Sequence, residues 1–101
     1  MTKIYQLTEK FPRNELHGLT SQMRRAAVSI ASNVAEGAGR ESKKEFMQFL
    51  SISQGSVSEL ETQLIIAHRL GYCSEIDYLL TELDEISKMI IGLRRSVKQR
   101  R

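Results

Sequence analysis

Two side-chain stripes share residues 22–40, QMRRAAVSIASNVAEGAGR, and both repeat at helical steps. Met23, Ala26, Ala27, Ile30 and Val34 recur every three or four residues, which is the apolar face of an α-helix seeking a core. Gln22, Arg25, Ser29, Asn33, Glu36 and Arg40 keep the same steps on a neighbouring face, and every one of them can hydrogen-bond. A strand, whose side chains alternate with a period of two, accommodates neither stripe. The segment therefore reads as a helix with a core face beside a wet or networked seam, in which Ala26 and Ser29 are small enough to admit a second backbone.

The rest of the chain repeats the helical period. One proline and no run of alternating β-branched residues argue for an all-α chain. Ile4, Leu7 and Phe11 mark a short first helix over 2–10, ended by Pro12, which pushes Phe11 towards extended backbone. PRNELHG, residues 12–18, is a connector with one helical turn opened by Pro12 and closed near Gly18. The second helix spans 19–36, stopped by Gly37, Ala38 and Gly39, with Gly37 suited to the left-handed position past a helix end. Ser42 and Glu45 form a capping box ahead of an apolar run.

A third helix over 43–70, roughly 40 Å long at 1.5 Å per residue, then presents Phe46, Phe49, Leu50, Val57, Leu60, Leu64, Ala67 and Leu70 to the core. Gly71 closes it. Gly55 in its middle costs about 1 kcal/mol against alanine, which is offset if a neighbouring helix packs close there. This helix has its own polar seam, Glu45, Gln48, Ser56, Glu59 and Gln63, broken by Ile52. Ser74 and Asp77 repeat the cap signature before a fourth helix over 75–97 with a core stripe of Ile76, Leu79, Leu80, Leu83, Ile86, Ile90, Leu93 and Val97. Ile91 lies off that stripe and is a candidate contact with another chain. Residues 98–101 read as a frayed basic tail. At 101 residues the whole, 1–101, is a single helical domain of modest buried surface.

Charge layout says more than net charge, which is +3. Residues 75–85 hold five acids and no base, while 88–101 hold six bases and no acid. Acids at the start and bases at the end of one helix compensate its dipole, though the closing KQRR exceeds that need. The one cysteine, Cys73, excludes an internal disulfide and suits a reducing cytoplasm. No apolar run approaches the ~20 residues of a membrane span, and no signal peptide is visible.

FPRNELHGLTSQMRRAAVSIASNVAEG, followed by EFMQFLSISQGSVSELETQL and LGY, resembles the bacterial four-helix-bundle family of proteins encoded in intervening sequences of 23S ribosomal RNA genes. The resemblance covers about residues 4–72. It implies an up-and-down antiparallel four-helix bundle, here with a truncated first helix, that assembles into a ring-like homopentamer with no established enzymatic activity. The family is also similar to the accessory protein of diversity-generating retroelements, a basic pentameric barrel that binds nucleic acid and works with a reverse transcriptase, so a reverse-transcriptase-like partner is implied. The family's polar pattern falls on Gln22, Arg25, Ser29, Asn33 and Glu36, and its second signature on Glu45, Phe46, Phe49, Gly55, Ser56 and Glu59. Ala31 stands where the family usually has proline, which weakens the kink a proline imposes.

The polar residues have two readings. Arg25, Asn33, Glu36 and Glu59 could form a metal or catalytic site, but an arginine among them and the lack of histidine speak against metal, and no nucleophile or phosphate loop accompanies Glu36 and Glu59. A structural network and oligomer seam built from Gln22, Arg25, Ser29, Asn33, Glu36, Ser56, Glu59 and Gln63 is the better reading, with Arg25 and Glu59 as buried partners. His17, His68 and Cys73 read as ordinary. No catalytic residue, metal or cofactor is expected. Two functions stay in view: a non-enzymatic accessory protein holding RNA or DNA phosphates with Arg24, Lys43, Lys44, Arg94, Arg95, Lys98, Arg100 and Arg101, and a purely structural or protein-binding oligomer.

Overall fold

The structure, a computed structural model, describes residues 2–100. It contains α1 (Thr2–Thr8), a 3₁₀ turn (Arg13–Glu15), α2 (Leu19–Ala38), α3 (Lys43–Arg69) and α4 (Asp77–Lys98), with no strand among the described residues. The chain is thus all-α, a four-helix arrangement with a short first helix. α3 is its centre: α2 and α4 both pack on it, and their Cα atoms nowhere come within 8 Å of each other. α1 occupies one end of the fourth corner, packed on α2 and tied to α4 by Lys3 and Glu82 at 3.0 Å.

The helical period places the core correctly at nearly every position. Ile4, Met23, Leu50, Val57, Leu60, Leu64, Leu79, Leu83 and Val97 are fully buried, each side chain contributing about 1.5–3 kcal/mol. Leu70 departs from its stripe, standing 54% exposed beyond the last turn of α3. Ser53 takes a core position instead, fully buried, and its hydroxyl donates a 2.7 Å hydrogen bond to the Ile30 carbonyl of α2. A side chain this small lets the two helices approach, and the hydrogen bond removes the penalty of burying it. Ile91 is exposed, as its register predicts.

Helix ends separate local signals from tertiary ones. Ser42 caps α3, its Oγ accepting the Glu45 N–H at 3.2 Å, but the Glu45 carboxylate turns to Arg40 at 3.6 Å. At the other end Gly71, at φ +81°, completes a Schellman turn: the Tyr72 N–H donates to the Ala67 carbonyl and the Gly71 N–H to that of His68, both at 3.0 Å. α1 stops at Thr8, short of residue 10, where the Thr8 hydroxyl bonds back to the Ile4 carbonyl at 2.8 Å.

Four expectations are corrected. Gly37 does not end α2 in a left-handed turn: it is buried inside the helix, and a Cβ there would lie 2.8 Å from both Phe46 Cδ1 and Phe49 Cβ. Its lack of a side chain serves the close crossing of α2 and α3, and the helix runs on to Ala38 past the expected residue 36. Gly55 is the reverse case, exposed with nothing within 4 Å of where a Cβ would sit. No helix among the described residues packs there. Ser74 does not cap α4, whose N-cap is Ile76 with no side-chain hydrogen bond. Ile76 is 7% exposed, and its burial sets the start of the helix two residues later than the cap signature does. Lys98, expected to fray, forms the last turn of α4, and Arg101 lies outside the described residues.

Candidate oligomer seam and basic pole

The polar stripes of α2 and α3 run along the same edge of the molecule, because antiparallel packing sets residue 29 of one helix against residue 56 of the other. Ser29 Oγ and Ser56 Oγ lie 2.8 Å apart, and the Asn33 amide donates to both the hydroxyl and the carbonyl of Ser29 at 2.8 Å. Further along, the Arg40 guanidinium reaches Glu36 at 3.3 Å and Glu45 at 3.6 Å. At the far end Gln63, only 6% exposed, donates to Glu59 Oε1 at 3.2 Å, while its own Oε1 is buried without a partner among the described residues.

Ser29, Asn33 and Ser56 are thus a joined, half-buried centre. Gln22, Arg25, Glu36 and Glu59 stand exposed around it. The expected buried pair of Arg25 and Glu59 is therefore corrected for the single chain: both side chains are exposed, and no ion pair joins them among the described residues. Long charged side chains at the rim of a helix pair keep their hydration unless something covers them.

Basic residues far apart in sequence meet at the end of the molecule where α3 begins and α4 stops. The Lys43 ammonium donates to the carbonyls of Lys98 at 3.1 Å and Arg100 at 2.8 Å, neutralising the negative end of the α4 dipole. Arg100 lies 5.7 Å above the Phe46 ring, and Arg40 5.0 Å above Phe49, both within cation–π reach. Lys44, Arg95 and Lys98 are exposed here; Arg94 is half-buried, with its Nε enclosed and unpartnered among the described residues. Arg24 does not join them. It sits at the other end, donating from Nε to Thr8 Oγ1 at 2.9 Å and lying 4.9 Å above the Tyr5 ring, and so ties α1 to α2.

One polar cluster escaped the sequence reading. Glu15 Oε1 accepts the N–H of Leu19, the first residue of α2, at 3.3 Å, and Oε2 accepts the Tyr72 hydroxyl at 2.7 Å. A carboxylate at a helix start satisfies an orphan donor and complements the dipole. The hydrogen bond to Glu15, then burial, then the nearby negative charge raise the Tyr72 hydroxyl above its usual 10.0. Burial also pushes the Cys73 thiol up, away from thiolate reactivity; its carbonyl lies 3.0 Å from His68 Nδ1. Among the described residues no three His, Cys, Asp or Glu side chains gather as a metal site, and no helix is long and apolar enough to cross a membrane.

The resemblance read from the FP, QMRRA and ELE segments is matched by the whole pattern of the chain. No curated protein matches it at a significant level. The model of the family described as 23S rRNA-intervening sequence protein matches residues 1–92, nearly the full length and all four helices up to the last turns of α4, and the chain belongs to that family.

Proposed function

We propose that the chain is a subunit of a ring-like homo-oligomer, a pentamer, acting as a non-enzymatic accessory protein that holds nucleic acid by its phosphates. The observation that carries this reading is the convergence of Lys44, Arg94, Arg95, Lys98 and Arg100 from two helices onto one end of the molecule. Each chain carries +3, so five together carry about +15, enough to concentrate a polyanion around the ring. With no tryptophan in the chain and no exposed aromatic cluster at that end, base stacking contributes little and binding is sequence-tolerant.

Support for assembly comes from the seam. Its Ser29–Ser56–Asn33 centre is only half-buried, and Gln22, Arg25, Glu36 and Glu59 stand exposed around it along one edge, a face that a neighbouring subunit can cover. A structural oligomer with no nucleic-acid role is the second reading, favoured by the engagement of Lys43 with the end of α4 and of Arg40 with Glu36 and Glu45.

Binding of labelled RNA and DNA measured across salt concentration tests the first reading. Affinity falls steeply as salt rises, and Arg95→Gln, Lys98→Gln and Arg100→Gln together weaken it equally for all sequences while helicity is retained. Unchanged affinity in that variant, or binding insensitive to salt, leaves the structural oligomer.

A further inference from the structure

The basic pole is built where an anion is least welcome. Arg95, Lys98 and Arg100 stand on the last turn of α4 and just beyond it, the end at which a helix leaves carbonyl oxygens without intrahelical partners and its dipole is negative. Some of these oxygens are satisfied by the backbone itself: the Gln99 N–H donates to the Arg95 carbonyl at 3.2 Å and the Arg100 N–H to the Val97 carbonyl at 3.1 Å. Those of Lys98 and Arg100 have no backbone donor among the described residues. They take theirs from the Lys43 ammonium, at 3.1 and 2.8 Å.

Lys43 is the first residue of α3, capped by Ser42, and Lys44 is the second. A cation in the first turn of a helix opposes that helix's dipole, so neither lysine serves α3. Antiparallel packing resolves this for Lys43 by setting the start of α3 against the end of α4, where its charge is favourable. At least two of the three donors of its ammonium are spent on carbonyls. Lys44 is exposed and joins no ion pair among the described residues. α3 also supplies Phe46, three residues on, whose buried ring carries the Arg100 guanidinium at 5.7 Å. Backbone and side chain of Arg100 are thus both held from the first turn of α3.

We propose that Lys43 is the positioning residue of the basic pole. Its ammonium neutralises the carbonyls at the end of α4 and, with Phe46, holds Lys98 and Arg100 in one arrangement, so that a phosphate chain meets ordered bases and no bare carbonyl. The role rests on the phosphate-binding reading and refines it at one residue, since Lys43 acts through its neighbours and not as a phosphate contact. Removing it leaves the phosphate-contacting charges in place and adds the cost of ordering them to binding.

The test uses the full chain, in which Lys43 is exposed and its replacement by methionine retains helicity by circular dichroism. Heteronuclear NOE measurements on the nitrogen-labelled chain without nucleic acid show residues 98–100 as rigid as the body of α4, and Lys43→Met loosens them. Binding is then followed with a fluorescein-labelled single-stranded RNA and a labelled DNA duplex across salt concentration. Lys44→Met, a lost phosphate contact, lowers the slope of log affinity against log salt by about 0.7–0.9. Lys43→Met weakens binding by about fivefold with the slope unchanged. Added to Arg95→Gln, Lys98→Gln and Arg100→Gln together, it changes affinity by less than about twofold, because the residues it acts through are gone. A slope lowered as much as in Lys44→Met, with equal weakening in both backgrounds, makes Lys43 a phosphate contact and overturns the proposal. So do residues 98–100 that are as rigid in Lys43→Met as in the wild-type chain. A wild-type chain that binds neither probe ends the phosphate reading and this role together; one that binds, loses affinity in the triple variant and is indifferent to Lys43→Met ends this role alone.

Discussion

The hydroxyl of Tyr72, just past the end of α3, donates a 2.7 Å hydrogen bond to Glu15, whose other oxygen caps the start of α2 at the Leu19 N–H. One carboxylate thereby fastens the turn after α3 to the turn before α2, and Phe11 seals the joint with its ring 5.4 Å from that of Tyr72. The tyrosine's raised pKa is the signature of the link. An acid whose pKa is raised by folding favours its neutral form in the folded state, so the contribution is present below 10.0 and is lost as pH rises through the folded value. Ultraviolet titration of the three tyrosines resolves one that ionises above its ordinary range, and Glu15→Ala, which removes the hydrogen bond and the nearby charge, lowers it towards that range. The same substitution removes a helix-start acceptor and lowers stability by about 1 kcal/mol in urea denaturation at neutral pH.

Glycine substitutions separate packing from mere tolerance. Gly37→Ala drives a methyl group to 2.8 Å from Phe46 and Phe49, and overpacking of this kind costs about 1–3 kcal/mol. Gly55→Ala meets nothing within 4 Å and gains about 0.5–1 kcal/mol of helix propensity in a lone chain. Denaturant midpoints check both signs. If subunits pack at Gly55, sedimentation shows the alanine variant dissociating while its chain stability still rises.

These two glycines also show where the sequence was readable. The existence of four helices, and the faces they bury, follow from apolar spacing that any single helix displays, which is why Met23, Leu60 and Leu83 were legible. Ser42 was legible because its partner is three residues away. Gly37 and Gly71 look alike as helix stops, yet one permits a close crossing and the other a left-handed turn, and only the ring of Phe46 across the interface separates them. Ser74 failed because the burial of Ile76 overrides a local cap. Glu15 gave no signal, since its two partners come from positions 19 and 72. For the candidate site, the stripes of α2 and α3 located the seam, while the exposure of Arg25 and Glu59 depends on how far the helix pair opens to solvent. Arg24 was placed among phosphate contacts by its charge alone, and its engagement with Thr8 and Tyr5 is a tertiary fact.

Arg25 and Glu59 give a test of whether anything covers the seam. Exposed in the single chain, they couple by less than about 1 kcal/mol in a double-mutant cycle, and Glu59→Ala costs about 1 kcal/mol through the acceptor lost to the Gln63 amide, not through Arg25. Burial by a neighbouring subunit changes the sign of the argument, since one charge removed then strands the other at about 3–5 kcal/mol. Running the cycle on both sides of a dissociation midpoint distinguishes the two: a coupling that appears only at high protein concentration locates these residues at an interface.

Gln63 supplies the sharper experiment on assembly, because its position is already buried in the single chain. Gln63→Met keeps the volume, removes the unpartnered Oε1 and gives up one 3.2 Å hydrogen bond to the exposed Glu59. Trading a buried unpaired acceptor, worth about 1–3 kcal/mol, for a sulfur with little need of partners stabilises an isolated chain. In an oligomer where the Gln63 amide turns outward to accept from a neighbouring subunit, the same change removes an intersubunit hydrogen bond and shifts the sedimentation profile towards smaller species. Higher thermal stability with an unchanged association constant therefore means that Gln63 faces no partner, whereas weaker association at equal or higher chain stability places the subunit boundary along the Gln22 and Gln63 end of the seam.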